Sequence, residues 1–414
     1  MKILMVNTSD IEGGAARAAY RLHRALLAEG VDSQMLVQRK VSDDITVIGP
    51  ITKVQKAWYK IRPFLDSWPV HRYKNRTKTL FSPSCVPFSG VVDRINEMNP
   101  DVVHLHWVTG GMMRIEDIVN IKAPIVWSLH DNWAFTGGCH IMWSCSRYQK
   151  NCGACPVLAS SKDNDLSRQV FLRKQRAFDV VNSITVVGLS TWLHNCAARS
   201  QLFSSHQHTY LPNPIDTKVF SPADKTYARS LLNLPQDKKL VLFGAISATS
   251  DVNKGYNELS KALQLIDKNV DLVVFGASQP EQAGEFTQKA HYLGRLYDDV
   301  TLRLLYSAAD VMVVPSLQEA FGQTASEAMA CGTPVVAFGA TGLLDIVDHK
   351  KNGFLAEPFD IQDLARGIEW VLSHEPAKNL SISAVNKIKY CFDYKVVAPQ
   401  YINLYQTVLK KDKL

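Results

Sequence analysis

Two glutamates, Glu319 and Glu327, stand eight positions apart in the stretch EAFGQTASEAMACGTPVVA. Residues eight apart on one helix lie about 80° apart around its axis, so a shared helix would bring the two carboxylates only loosely to one face. The stretch reads better as strand, loop and helix, with Glu319 in the loop after VMVVPS and Glu327 on the helix that follows. A carboxylate in either place accepts hydrogen bonds from paired hydroxyls, such as those of a ribose or a hexose. Lys254 and Gly255, in GAISATSDVNKGY, come after an apolar strand and before a helix, where a lysine clamps phosphate. Gly13 and Gly14 occupy another strand–helix loop, and without Cβ atoms they let backbone N–H groups approach an anion closely. Plainer readings stand beside these: a tight turn for the glycine pair and a solvated lysine for Lys254. Taken together, a phosphate clamp, two hydroxyl-accepting carboxylates and glycine loops describe a site for a nucleotide sugar.

The elements that must position these groups alternate. KILMVNTS is a buried-strand pattern, followed by a helical run closed at Gly30, and DSQMLVQ, DVVHLHW, APIVWSLHD and SITVVGLS continue the series. The proline-rich LPNPIDTKVFSP reads as a linker. The pattern then restarts with KLVLFGAIS, DLVVFGAS, AHYLGRL, DVMVVPS, TPVVAFG and NGFLAEP. Alternating strands and helices build parallel, doubly wound sheets whose ligands bind beyond the strand C-termini. The chain of 414 residues is too long for one ordinary core. The expected division is a domain over 1–212, a second over 213–390, and a C-terminal helix over 391–414 that packs back on the first.

These residues resemble a known family. EAFGQTASEAMACGTPVVA is similar to the E-x7-E motif of retaining glycosyltransferases of family 4, and SDIEGGAARAAYRLHRALLAEGVDSQML, WSLHDNWAFTGGCH, VVGLSTWL, LPNPIDTKVF, NKGY and GLLDIVDHKKNGFLAEPFD resemble further family blocks in the family's order. The resemblance implies the α/β GT-B architecture, two Rossmann-like doubly wound domains facing a central cleft. It implies that Glu319 binds donor-sugar hydroxyls, that the backbone of Phe321, Gly322, Gln323 and Thr324 lines the phosphate and sugar pocket, and that Glu327 binds the ribose. Lys254 and the Gly13–Gly14 loop would contact the diphosphate, His130 the sugar near its reacting carbon, and Leu296 the base. The family's usual arginine after the first strand of the second half is missing, and Ser247 stands near its place. Glu319 is then not one of a hydrolase's carboxylate pair. The reaction implied is sugar transfer with retention, using a nucleotide-diphosphate sugar (UDP favoured) and no catalytic metal, onto a glycan or lipid-linked acceptor for surface polysaccharide. A nucleotide-sugar epimerase of the same architecture and a non-catalytic nucleotide- or glycan-binding protein are the alternatives. Release of nucleoside diphosphate on adding acceptor separates the three.

Cys139, Cys145, Cys152 and Cys155 crowd into GGCHIMWSCSRYQKNCGACP. The C-x2-C spacing suits a structural zinc, with His140 a substitute ligand; packed free thiols or two disulfides are the other readings. From Ile51 to Leu80 eight basic residues face one acid, Asp66, with Trp58, Tyr59, Phe64 and Trp68 interleaved. Such a stretch suits an anionic membrane surface, or else a solvated helix over a core of aromatics. No nucleic-acid partner is expected. The N-terminus does not read as a signal peptide, and the expected location is the cytoplasm, at the inner face of the membrane.

Overall fold

A computed structural model describes residues 1–181, 183–278, 286–374 and 376–412. The chain divides into two units, Met1–Pro212 with Ala398–Leu414, and Asn213–Val397.

The first unit is built on a parallel sheet of seven strands: β1 (Lys2–Ser9), β2 (Asp32–Arg39), β3 (Val47–Ile48), β4 (Val102–Leu105), β5 (Ile125–Leu129), β6 (Ile184–Gly188) and β7 (Gln207–Tyr210). Their order is β3-β2-β1-β4-β5-β6-β7. The second unit holds β8 (Lys239–Gly244), β9 (Val270–Phe275), β10 (Ala290–Tyr292), β11 (Val311–Val314), β12 (Val335–Phe338) and β13 (Gly353–Ala356), ordered β10-β9-β8-β11-β12-β13 and again parallel. A parallel sheet is covered on both faces, so its strands are near-continuous apolar runs rather than alternating ones. VMVV of β11 and VVAF of β12 are buried at every position. In each order the chain steps outward from the first strand and then reverses, which places a ligand-binding switch point beside β1 and beside β8.

Two helices of the first unit carry the glycine pair and the basic stretch. Helix α1 (Gly14–Ala28) starts at Gly13, whose φ of 101° lies in the left-handed region, and it buries Ala16, Ala18, Ala19, Leu22, Ala25 and Leu26 on the sheet. Helix α2 (Lys53–Ser67) opens on a capping box in which Thr52 and Gln55 each accept the other's backbone N–H. Its buried side chains are Arg62 and Asp66. Arg62 donates to the carbonyls of Val86, Pro87 and Gly111, and Asp66 accepts from the N–H groups of Ser84 and Cys85. Arg62 is therefore a strut for the 84–111 segment and leaves the basic surface that the sequence suggests.

The helix Tyr394–Asp412 contributes its 398–412 portion to the first unit. There the Tyr405 hydroxyl meets His104 Nδ1 at 2.7 Å, His104 Nε2 meets Ser128 Oγ at 2.8 Å, and Tyr401 donates to the Leu211 carbonyl at 3.3 Å.

Candidate active site

In the second unit the two loops that carry Lys254 and Glu319 are stitched together by Asn253. Its Nδ2 donates to the Gln318 carbonyl at 2.8 Å, its Oδ1 accepts the Gln318 N–H at 3.0 Å, and its carbonyl accepts the Leu317 N–H at 3.0 Å. Lys254 ends a short 3-10 turn in which Asp251 caps the Asn253 N–H. Gly255, with φ of 74°, turns the chain from there into the helix Tyr256–Leu263. The result is an ion pair, Lys254 Nζ to Glu319 Oε1 at 2.7 Å. Burial alone would lower the lysine pKa, but the adjoining Glu319 carboxylate more than offsets it and holds the ammonium charged. Glu319 is fixed by a third loop as well, its N–H donating to Thr341 Oγ1 and its carbonyl accepting from Gly342.

Gly322, at φ of 105°, precedes the helix Gln323–Ala330, so Gln323 and Thr324 form its first turn, where N–H groups lack intrahelical partners. The Phe321 side chain is buried against Phe392, with ring centroids 5.5 Å apart. Glu327 sits on that helix at 4% exposure, its Oε2 accepting from the Tyr306 hydroxyl at 2.6 Å. The ribose role inferred from the sequence therefore falls on a carboxylate already oriented by a tyrosine. Ser247 adopts φ of 58° in an exposed turn, its carbonyl accepting from the N–H groups of Ser250 and Asp251. Leu296 lies partly buried in the loop after β10.

The first unit holds Gly13, Gly14 and His130 around one cavity of about 1400 Å³. Arg39, Lys40, Lys56, Lys60 and Arg94 also line it. Some of these cations have tasks already: Arg39 pairs with Glu12, Lys40 holds the Asp44 and Val47 carbonyls, and Arg94 holds that of Gly49. Two buried polar atoms of lining residues, Gln38 Oε1 and Ser42 Oγ, have no partner among the described residues.

Sequence reasoning singled out His130 but not its support. His130 Nε2 lies 2.8 Å from His106 Nδ1. The remaining nitrogen of His106 is buried without a partner among the described residues. An orphaned buried N–H is the rarer defect, so the pattern assigns the His106 proton to Nδ1, which donates to His130. His130 then carries its own proton on Nδ1. Burial pushes the His130 pKa down to about 4 and that of His104 to about 3, so at neutral pH His130 is an uncharged donor at the cavity wall. Next to it, Asp131 accepts from Trp107 Nε1 at 2.7 Å, from the Trp133 N–H at 2.8 Å and from His140 at 2.6 Å. Burial opposes its ionisation, yet His140 and these donors hold its carboxyl below the usual range. The HLHW run at the end of β4, with histidines on alternate positions, was the available signal for His106.

His140 uses its other nitrogen on Ser82 Oγ at 2.8 Å. Both its ring nitrogens are thus hydrogen-bonded, and it is not among the residues that line the small cavity shared by the cysteines. The four clustered cysteines line one small cavity of about 20 Å³, together with Thr136 and Ser167. None is in a disulfide. Among the described residues no set of three or more His, Cys, Asp or Glu groups already stands in metal-holding geometry.

Residues 225–387 match the family described as glycosyl transferases group 1. The D-inositol 3-phosphate glycosyltransferase of Mycolicibacterium smegmatis is 30% identical over 313 residues, which are 72% of this chain and 65% of that protein. Against the first curated relatives the chain spans half their length or less. The sucrose-phosphate synthase structure from Thermosynechococcus elongatus superposes with a TM-score of 0.70 at 20% identity, covering 99% of this chain and all of that one. Anabaena HepE, solved with UDP and glucose, gives 0.66 at 18% identity over 98% of this chain and all of that one. The fold is GT-B. The group 1 match takes in Lys254, Glu319 and Glu327, and all of its residues fall in the second unit.

Proposed function

We propose that the protein is a retaining, metal-independent glycosyltransferase that moves a sugar from a nucleotide-diphosphate sugar onto a glycan or lipid-linked acceptor in surface polysaccharide synthesis, working at the cytoplasmic face of a membrane. The Lys254–Glu319 pair carries this reading. A carboxylate held against an ammonium, inside a region that matches group 1 glycosyl transferases, supplies a hydroxyl acceptor and a phosphate partner side by side. Lys254 neutralises the leaving diphosphate, and Glu319 orients the sugar hydroxyls. Leaving-group stabilisation of this type needs donors fixed before reaction, and three loops fix these. UDP is the favoured nucleotide, since the similar Anabaena structure binds it.

The first-unit cavity suits the acceptor. Lys56 and Lys60 give it positive charge, and Gln38 Oε1 and Ser42 Oγ offer hydrogen-bond partners to hydroxyls. A hydroxyl-rich acceptor bearing phosphate fits that chemistry, as the name of the mycobacterial relative also suggests. The test is nucleoside-diphosphate release from UDP-, GDP- and ADP-sugars with and without lipid-linked or phosphorylated acceptors. Release that depends on acceptor, with the anomeric configuration of the donor kept in the product, is the expected result. Sugar inversion at C2 without acceptor would assign an epimerase instead, and nucleotide binding without turnover a binding protein.

The cysteine cluster is proposed as a structural zinc site beside the 131–140 loop. Burial raises the Cys139 and Cys155 thiols and pushes Cys152 up to about 12, so these three stay protonated unless a cation compensates, and the clustered side chains must turn inward to meet it. A cavity of about 20 Å³ is about the size of one small guest. Protein purified without chelator should contain about one zinc per chain by elemental analysis. Zinc-free protein of unchanged stability would leave the cysteines as packed thiols.

A further inference from the structure

Helix α2 is turned inside out. Its buried side chains are the charged Arg62 and Asp66, while Trp58, Tyr59 and Leu65 are only half-buried and three large apolar side chains face water. Val54 is 78% exposed, Ile61 50% and Phe64 76%, and Trp68 just beyond the helix is 71% exposed. Steps of seven, three and four residues put these four on one stripe. Lys53, Lys56 and Lys60, spaced by three and four, form a second row beside it, and all three are exposed. Phe88, 86% exposed, is held next to the helix by Trp58 Nε1, which donates to its carbonyl at 3.1 Å.

The charge is of one sign. The single acid between 51 and 80, Asp66, is turned inward, so every exposed charge of that stretch is cationic. A solvated helix face would be polar. An apolar stripe of this size marks an interaction site, and an apolar stripe flanked by lysines alone is the pattern of a helix lying in an anionic lipid interface. Among the described residues no helix is long and apolar enough to cross a membrane, so the contact is with the surface.

We propose that the outward face of α2 docks on an anionic lipid surface, with Val54, Ile61, Phe64 and Trp68 among the headgroups and the lysine row on lipid phosphates. Lys56 and Lys60 line the first-unit cavity too, so the cavity wall continues into the lysine row of the docking face. The inference deepens the membrane placement proposed above and is argued from exposure and charge; its test reads binding alone, so its failure would leave the sugar-transfer chemistry to its own test. Full-length protein is sedimented with phosphatidylcholine vesicles that contain or lack phosphatidylglycerol. It should pellet with the anionic vesicles, less so as salt rises. The Phe64→Ser/Trp68→Ser variant should partition about tenfold less or worse with its thermal unfolding unchanged, because both side chains are exposed. Equal binding to neutral vesicles, no binding to either kind, or undiminished binding of the variant overturns the proposal. Self-association that the same substitutions abolish would assign the stripe to a second copy of the chain and overturn it as well.

Discussion

Lys254→Met should lower kcat by about 10²–10³-fold at saturating donor, the usual loss when one preorganised group facing developing charge is removed. The side chain is 23% exposed and the carboxylate it pairs with 17%, so water cannot take over its task fully. A methionine keeps the length of the stem and removes the charge. The single variant also leaves Glu319 partly buried without its cation, which costs stability on its own account. The double variant Lys254→Met/Glu319→Gln removes that second effect. Its thermal midpoint should recover, which separates the cost of the unpaired carboxylate from the lost charge; because Glu319 is itself placed on the sugar hydroxyls, the turnover that bears on Lys254 is that of the single variant. Turnover of the single variant within a few-fold of the parent would show that the diphosphate is neutralised elsewhere, and the assignment of Lys254 would fall.

Gly255→Ala should be among the most damaging single-methyl additions in the second unit. The residue holds φ of 74°, and a Cβ built there would come to 2.0 Å from the Pro315 carbonyl oxygen. Left-handed backbone at a non-glycine costs about 1–3 kcal/mol, and the overlap adds to it because the obstacle is backbone rather than the end of a mobile side chain. A loss of about 3 kcal/mol or more is expected, which for a unit of this size means a midpoint lowered by roughly 6–12 °C. Gly294 is the control. Its φ is 64°, but nothing lies within 4 Å of its Cβ position, so Gly294→Ala should show the strain alone. If the two variants melt alike in thermal or denaturant unfolding, the close approach of the 255 turn to β11's exit loop is not what demands glycine.

The sequence was most legible where burial is two-sided. KILMVNTS is β1 residue for residue, and each other apolar run that read as a strand overlaps one. What escaped were β3, two residues long, and β7, whose QHTY is polar because it is an edge strand with no buried residue. A sheet edge needs no apolar run, so periodicity is silent there. The glutamate pair was legible too: Glu319 lies in the loop after β11 and Glu327 on the helix Gln323–Ala330. The partners were not. Asn253, Thr341 and Tyr306 reach these glutamates or their loops by long-range contacts that no local pattern encodes. Arg62 misled for a related reason: a charge that satisfies three distant carbonyls looks, in sequence, like any other surface arginine. His106 differs, since its alternate spacing from His104 was visible and only its meaning was not.

The discontinuity of the first unit bears on how the chain is made. Tyr401 and Tyr405, which reach Leu211 and His104, are synthesised after the whole of the second unit. Domains emerging from the ribosome generally fold from the N-terminal end forward. Here the unit that begins first is completed last. While residues 213–397 are being added and can fold as one contiguous body, His104 Nδ1 waits for its hydroxyl and the surface covered by the 398–412 helix stays open. A nascent chain of this protein therefore passes through an interval in which its first half is translated but unfinished, and a chaperone that shields that surface would act during elongation rather than after release.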